Sequence, residues 1–359
     1  MSEPSRTALM RSLSPHLGLS KSRLETLAVF LIAVVQGRTV NLSHVASQFA
    51  GTACWASNYR RLQRFFQHVR LDQAIVARLI IGVLDLSRPK CLALDRTNWK
   101  VGKKDINILV LAVVTRRFRV PLLWSVFDHQ GNSSCAERIA LMQRYLALFE
   151  PGSIELILGD REFIGAEWIK FLIANEIPFA IRTREDLRFG LADGRVWSLT
   201  TLLRNRRAGH GIRSLDVFLP ETDIALRLVA KRIKNGEWLI VLTNTTDPKR
   251  ALRAYKRRWA VECLFADIKT RGLNLEDTHL TIPAKIETLV ALLALAMTWT
   301  YRCATQTMGM KAIPRKTHGR RQKSWFRIGF DALRRAIANQ PAWAANAWLS
   351  KCPVRPFKP

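Results

Sequence analysis

Acidic side chains are what this sequence has least of. Only 28 Asp and Glu stand against 57 Lys and Arg in 359 residues, giving a net charge of +29 and a pI near 10.9. An imbalance of that size argues against a merely solvated basic surface and for a polyanionic partner, nucleic acid first. Paired cysteines are missing too. Cys54, Cys91, Cys135, Cys263, Cys303 and Cys352 are scattered, with no CxxC and no accompanying His spacing. That excludes a structural zinc site and predicts reduced, mostly buried thiols in a cytosolic protein. The N-terminus lacks a signal-peptide pattern. The apolar run "TLVALLALAMTWTY" (Thr288–Tyr301) is shorter than the roughly 18–20 residues that span a bilayer, and so predicts a core helix rather than a membrane anchor. There is no internal repeat, no low-complexity tract, no GxSxG and no HExxH, and "VGKKD" lacks the spacing of a phosphate-binding loop.

What is present is an ordinary apolar content of 48% and a mean hydropathy of -0.01, in a chain long enough for two or three domains. The charge is uneven. Residues 1–90 carry 12 basic and 4 acidic side chains, a net of +8, and residues 281–359 carry 14 and 2, a net of +12. The middle keeps most of the carboxylates, so the ends suit phosphate contact and the middle suits chemistry.

Residues 1–89 read as a helical DNA-binding domain. "KSRLETLAVFLIAVVQ" has helical apolar spacing, "VNLSHVASQFA" offers Ser43 as an N-cap, and "SNYRRLQRFFQHVRLD" mixes Arg60, Arg61, Arg64 and Arg70 with Phe65 and Phe66. An ordinary helical bundle with an Arg-rich solvent face fits these residues equally well. Residues 90–184 change texture: "KCLALDRTNW", "INILVLAVVT" and "RVPLLWSVF" predict three strands, followed by helix, strand, helix and strand. This α/β order is compatible with a ribonuclease-H-like core. Residues 185–244 look like a β-rich insertion, residues 245–282 return to the core, and residues 283–359 form a helical, basic C-terminal region.

Three carboxylates stand out. Asp95 in "LALDRTNW" and Asp160 in "IELILGD" close apolar strands, where an unpaired carboxylate is costly. Either alone is more often a turn former or cap. Glu262 lies in "YKRRWAVECLFADIK", spaced from Tyr255, Arg258 and Lys269 so that, at about 100° per residue, all four return to one helix face. Three such oxygen donors on separate elements can hold two Mg²⁺ ions about 3.5–4 Å apart, an arrangement suited to in-line phosphoryl displacement. Tyr255, Arg258 and Lys269 could then grip phosphates. Asp128, His129 and Glu137 flank a strand-to-helix turn, where capping is the expected job, and Glu162 in "DREF" is expected in a turn.

The spacing of Tyr255, Arg258, Glu262 and Lys269, with "LALDRTNW", "LGDREF" and "RGLNLEDTHL", resembles bacterial insertion-sequence transposases of the Asp-Asp-Glu class, specifically the insertion-sequence-four group. The resemblance covers roughly residues 20–335. It implies that Asp95, Asp160 and Glu262 bind two Mg²⁺ ions (Mn²⁺ substituting), and that Tyr255, Arg258 and Lys269 contact transposon-end DNA. It further implies cut-and-paste transposition through an end hairpin, a homodimer on double-stranded DNA, no membrane, and a cytoplasmic, nucleoid-associated place in a bacterium. A tryptophan of the insertion, Trp238 or Trp197, would stack on a flipped base, although a packed strand tryptophan is the commoner role. Trp259 is open to either role, core or DNA. A metal-dependent nuclease that only cuts, or a non-catalytic repressor of the element, are the alternatives.

Overall fold

The computed structural model describes residues 3–86, 90–191, 194–204, 213–219, 222, 224–233, 236–309 and 311–350. Five helices come first: α1 (Glu3–Leu17), α2 (Lys21–Gly37), α3 (Leu42–Ser47), α4 (Trp55–His68) and α5 (Gln73–Val83). The cap of α3 is Asn41, whose side chain accepts from the Ser43 backbone, rather than Ser43 itself. Asn41 has the extended backbone a cap requires, whereas Ser43 already lies inside the helix. On α4, Phe65 and Phe66 are buried, Arg60 and Arg64 are exposed, and Arg61 pairs with Glu25 at 3.0 Å.

The central part alternates as its composition predicts. Strands β1 (Lys90–Val101), β2 (Lys104–Val114) and β3 (Arg119–Phe127) precede α6 (Cys135–Leu146), β4 (Ile154–Gly159), α7 (Ala166–Ala174) and β5 (Phe179–Arg182). Helix α6 opens on a capping box between Ser134 and Glu137, the job expected of that glutamate. From Ile106 to Val114, β2 is buried at consecutive residues, so both faces of the sheet are covered there. Pro121 is tolerated in β3 because β3 is the sheet's edge strand and shifts register against β2 nearby.

Residues after β5 do not form a separate sheet. Short strands β6 (Arg188–Gly190) and β7 (Val196–Ser198), helix α8 (Leu199–Arg204), and strands β8 (Arg213–Phe218), β9 (Ala225–Arg232) and β10 (Trp238–Thr243) extend the first one. The ten strands run in the order β3-β2-β1-β4-β5-β10-β9-β8-β6-β7, with β10 antiparallel to β5. Asn244 seals the join: its side chain accepts from Phe179 N at 3.0 Å and donates to Ile177 O at 3.0 Å.

Helix α9 (Pro248–Tyr255) passes through a 3-10 turn at Lys256–Arg258 into α10 (Trp259–Ile268). The last helices are α11 (Pro283–Met308), α12 (Trp325–Asn339) and α13 (Pro341–Leu349). Helix α11 contains the apolar run and is buried from Thr288 to Thr305, packed against α2, α5, α12, α13 and β3. Among the described residues, no helix is long and apolar enough to cross a membrane. Both ends of the chain therefore share one helical layer around α11. Ser5 of α1 donates to the Pro341 carbonyl at 3.1 Å, and Gly329 lets α12 lie so close to α11 that a Cβ there would meet the Thr300 carbonyl at 1.9 Å. Of the five described cysteines, Cys91 and Cys303 are buried, Cys135 and Cys263 half-buried and Cys54 exposed, all of them free, so burial is less general than expected; Cys352 lies outside the described residues.

Candidate active site

Asp95 sits in β1, Asp160 immediately after β4, and Glu262 in the first turn of α10. Strands β1 and β4 are parallel neighbours, which brings the two aspartates to the same end of the sheet. In each, the following backbone N–H donates to Oδ1: Arg96 N to Asp95 at 2.8 Å and Arg161 N to Asp160 at 2.5 Å. That fixes both side chains and leaves Oδ2 free to face across the site. Both Oδ2 atoms face Arg258, whose Nη1 lies 3.3 Å from Asp95 and 3.6 Å from Asp160. Its Nη2 donates to Glu262 Oε1. One guanidinium thus gathers three carboxylates from three elements.

The electrostatics are one-sided. Burial pushes the Asp95 carboxyl up to about 6; the Arg96 amide and Arg258 oppose this, while Asp160 and Glu162 add to it. Burial disfavours the charge on Arg258, but Tyr255 and the three carboxylates outweigh it, and its pKa is raised. The guanidinium is the fixed charge of the cluster and Asp95 its proton-accepting member. Tyr255 is buried beside them; burial raises its phenol, and its hydroxyl has no hydrogen-bond partner among the described residues. An unmade bond on a buried hydroxyl costs about 1–3 kcal/mol, so a partner arriving there gains by it.

Neighbouring pairs hold this frame. Arg96 pairs with Glu162 at 3.0 Å and donates to Asn107 and Asn132, tying the residues beside both aspartates together. Glu162, expected in a turn, does lie in the 3-10 turn Arg161–Phe163. Arg257 anchors the 3-10 turn before α10 through Glu155 at 3.2 Å and Cys91 Sγ at 2.9 Å, with burial pushing that thiol up to about 12 so that it stays protonated.

The four-residue signature does not occupy one face of one helix. Tyr255 ends α9, Arg258 ends the 3-10 turn, Glu262 is in α10, and Lys269 is its non-helical C-cap. Lys269 Nζ pairs with Glu276 at 2.7 Å, donates to Asn98 O at 3.2 Å and lies 5.8 Å from the Trp99 ring centre. Since Asn98 and Trp99 are three and four residues along β1 from Asp95, Lys269 stands about 10–13 Å along the strand from the level of Asp95. Trp238 opens β10, half-buried. Gly159 and Leu242 both register with Ile181, so Trp238 stands four residues, about 13 Å, beyond the level of Gly159 on the Asp160 side. Trp197 is half-buried in β7 with Arg195 5.4 Å from its ring centre, and Trp259 beside Arg258 is 66% exposed, which rules out a core role for it.

Sequence reading passed over Arg182. It ends β5, faces Tyr255 electrostatically, and keeps its Nε buried without a hydrogen-bond partner. The signal was an arginine closing the strand "IPFAIRTR", the position that Asp160 occupies after β4.

Among the described residues, no three His, Cys, Asp or Glu side chains stand close enough to hold a metal ion as placed, because the carboxylates converge on Arg258 and not on one another. The donor set nevertheless fits a hard divalent cation. It consists of oxygens only, two of them oriented by backbone amides, and it already surrounds a cation while remaining two charges short of neutral. Among curated proteins, none matches the sequence. Residues 86–299, from just after the fifth helix through all three carboxylates and into α11, match the family described as the transposase DDE domain. That match covers more than half of the sequence, and the chain belongs to this transposase family.

Proposed function

We propose that this chain cuts and joins DNA at the ends of its own mobile element, with Asp95, Asp160 and Glu262 as cation ligands in a ribonuclease-H-like core. The observation that carries the reading is the convergence of the three carboxylates on the Arg258 guanidinium. The order β3-β2-β1-β4-β5, with β1 antiparallel to β2 and parallel to β4, supports the ribonuclease-H-like topology. The Tyr255, Arg258, Glu262 and Lys269 spacing supports the insertion-sequence-four group. Mg²⁺, or Mn²⁺ in its place, would supply Lewis-acid stabilisation of the attacking and leaving oxygens of an in-line displacement.

The chain's own residues do the rest. Arg258 partly compensates the carboxylates in the free protein and turns its donors to a DNA phosphate when DNA binds. The unpartnered Tyr255 hydroxyl donates to a phosphate oxygen next to it. Lys269, held by Glu276 at the far end of α10, steers the backbone along β1. Trp238, standing beyond the end of β4 on the Asp160 side, stacks on a base displaced from the terminal duplex. Water attacks the phosphodiester of one strand at the element's end, leaving a 3′-hydroxyl on the element and a 5′-phosphate on the flanking DNA. That 3′-hydroxyl attacks the opposite strand and displaces the flanking 3′-oxygen, closing a hairpin. A second water opens the hairpin, and the restored 3′-hydroxyl attacks target DNA, displacing a target 3′-oxygen. Two ends must be joined, so the working form is a homodimer on double-stranded DNA.

The test is cleavage of a duplex carrying the element's terminal inverted repeat, with Mg²⁺ or Mn²⁺, by wild type and Glu262→Ala. Metal-dependent nicks and hairpins from wild type alone are expected. Tight binding without cleavage by either protein would reject the enzymatic reading in favour of a repressor, and nicking without any strand transfer would leave a nuclease.

A further inference from the structure

A second cluster of charge lies next to α10, in a cleft of about 360 Å³ bounded by Arg38 at the end of α2, Arg119 at the start of β3, Asp267 of α10, Arg271 just beyond it, and Ser324 and Arg327 at the start of α12. Four guanidiniums therefore meet from four separate parts of the chain. Asp267 is taken up by Arg119, which reaches its Oδ2 through Nε at 2.9 Å and Nη2 at 2.7 Å. Arg327 pairs with Asp331 at 3.0 Å. Arg38 and Arg271 make no ion pair among the described residues. Arg38 donates to the Arg271 carbonyl at 3.3 Å, and its Nε is buried with no hydrogen-bond partner. Arg334, close by, has its charge disfavoured by burial first and by Arg38 next, the mark of guanidiniums crowded together.

Like charges packed beside a cleft repel, and unfilled guanidinium donors are costly where they are buried. An anion bridging them removes both penalties. Planar guanidiniums arranged around a cleft match a tetrahedral oxyanion, and the Ser324 hydroxyl at the N-terminal end of α12 adds a donor beside the helix's partial positive charge. We infer that this cleft is a second phosphate-binding site, formed by Arg38, Arg271, Arg327 and Ser324 and separate from the carboxylate site around Glu262. The phosphate can come from a DNA backbone that passes behind α10, which rests on the function proposed above, or from a free oxyanion. Because the cleft joins α2, β3, α10 and α12, a bound phosphate also ties both ends of the chain to the helix that carries Glu262.

The experiment uses the full-length chain and two readouts that need no cleavage. Calorimetric titration with inorganic pyrophosphate at constant ionic strength tests the free anion. The salt dependence of binding to duplex DNA tests the backbone, since each lost phosphate contact lowers the slope of log K against log salt by about 0.9. Arg271 is exposed, so Arg271→Ala and Arg271→Glu are suitable variants, each checked for an unchanged circular dichroism spectrum. Saturable pyrophosphate binding in wild type, weakened about tenfold or more in Arg271→Ala and lost in Arg271→Glu, supports the site with a free oxyanion as ligand. A DNA slope reduced by about one in Arg271→Ala, without pyrophosphate binding, supports it with the backbone as ligand. Glu262→Gln should keep both readouts even where it cuts nothing, so failure of the catalytic reading and failure of this one are distinct results. Arg271 variants indistinguishable from wild type in both readouts overturn the inference.

Discussion

Two acid–guanidinium groupings meet helix α10, and their stoichiometry differs. Toward the sheet end, three carboxylates share Arg258; toward the C-terminus of α10, Asp267 is bonded by Arg119 and also faces Arg271, with the Asp267 and Arg119 side chains 6% and 17% exposed. The second grouping is balanced and complete. It ties α10 to β3. The first is two charges short, depends on one side chain for its compensation, and keeps Asp160 and Glu262 partly open to solvent. Proximity to opposite charge is common to both, so it does not by itself mark a catalytic site here. The ratio of acid to base does. The cleft at Arg38 and Arg271 is the reverse case, with cations in excess, which suits it to an anion.

The comparison breaks most readily by removing one carboxylate from each grouping. Asp267→Ala leaves the half-buried Arg119 without its carboxylate, and should lower unfolding free energy by about 3 kcal/mol. Glu262→Gln leaves two carboxylates facing Arg258, and should change stability by about 1 kcal/mol or less while abolishing cleavage. Urea denaturation of the two variants beside wild type reads the contrast; equal destabilisation would mean that both groupings are structural.

A smaller effect separates the two by pH. Asp95 is raised from 3.8 in the unfolded chain to about 6 in the fold, so its charged form costs stability at neutral pH. As pH falls from about 6 toward 4 the folded protein takes up that proton first and the cost disappears. In EDTA, Asp95→Asn should therefore be more stable than wild type at pH 7.5 by up to about 3 kcal/mol, with the gain fading by pH 4. A gain that does not vary with pH would contradict the assignment. The smallest change is expected at Trp238. If it stacks on a displaced base, Trp238→Ala should weaken binding of a hairpin end by about 1–3 kcal/mol, read by titration against an unpaired-end substrate, and leave linear duplex binding unaltered.

Much of this was legible in the sequence because the information was local. The β-branched runs from Lys90 to Phe127 have no other satisfactory burial, the Ser134–Glu137 box announces α6, and an aspartate ending an apolar strand is conspicuous. What was not legible depended on pairing across the chain. Nothing in "EWLIVLTN" shows that β10 will hydrogen-bond to β5 and continue the core's sheet, because a continuous apolar run marks a covered strand without naming its neighbour. The 3-10 turn at Lys256–Arg258 is set by Arg257 reaching Glu155 and Cys91, 102 and 166 residues away, so a regular helical period carried through Tyr255 to Lys269 misplaces Lys269. The Arg119–Asp267 pair spans 148 residues and leaves no mark on either local sequence.

We propose Asp95, Asp160 and Glu262 as a divalent-cation site whose charge Arg258 partly compensates in the free protein. Its most direct test is Mn²⁺ titration followed by electron paramagnetic resonance, on wild type, Arg258→Ala and the double variant Arg258→Ala with Glu262→Gln. Removing the guanidinium should tighten Mn²⁺ binding relative to wild type, and removing Glu262 as well should abolish the gain. Identical Mn²⁺ uptake by all three proteins would contradict the claim.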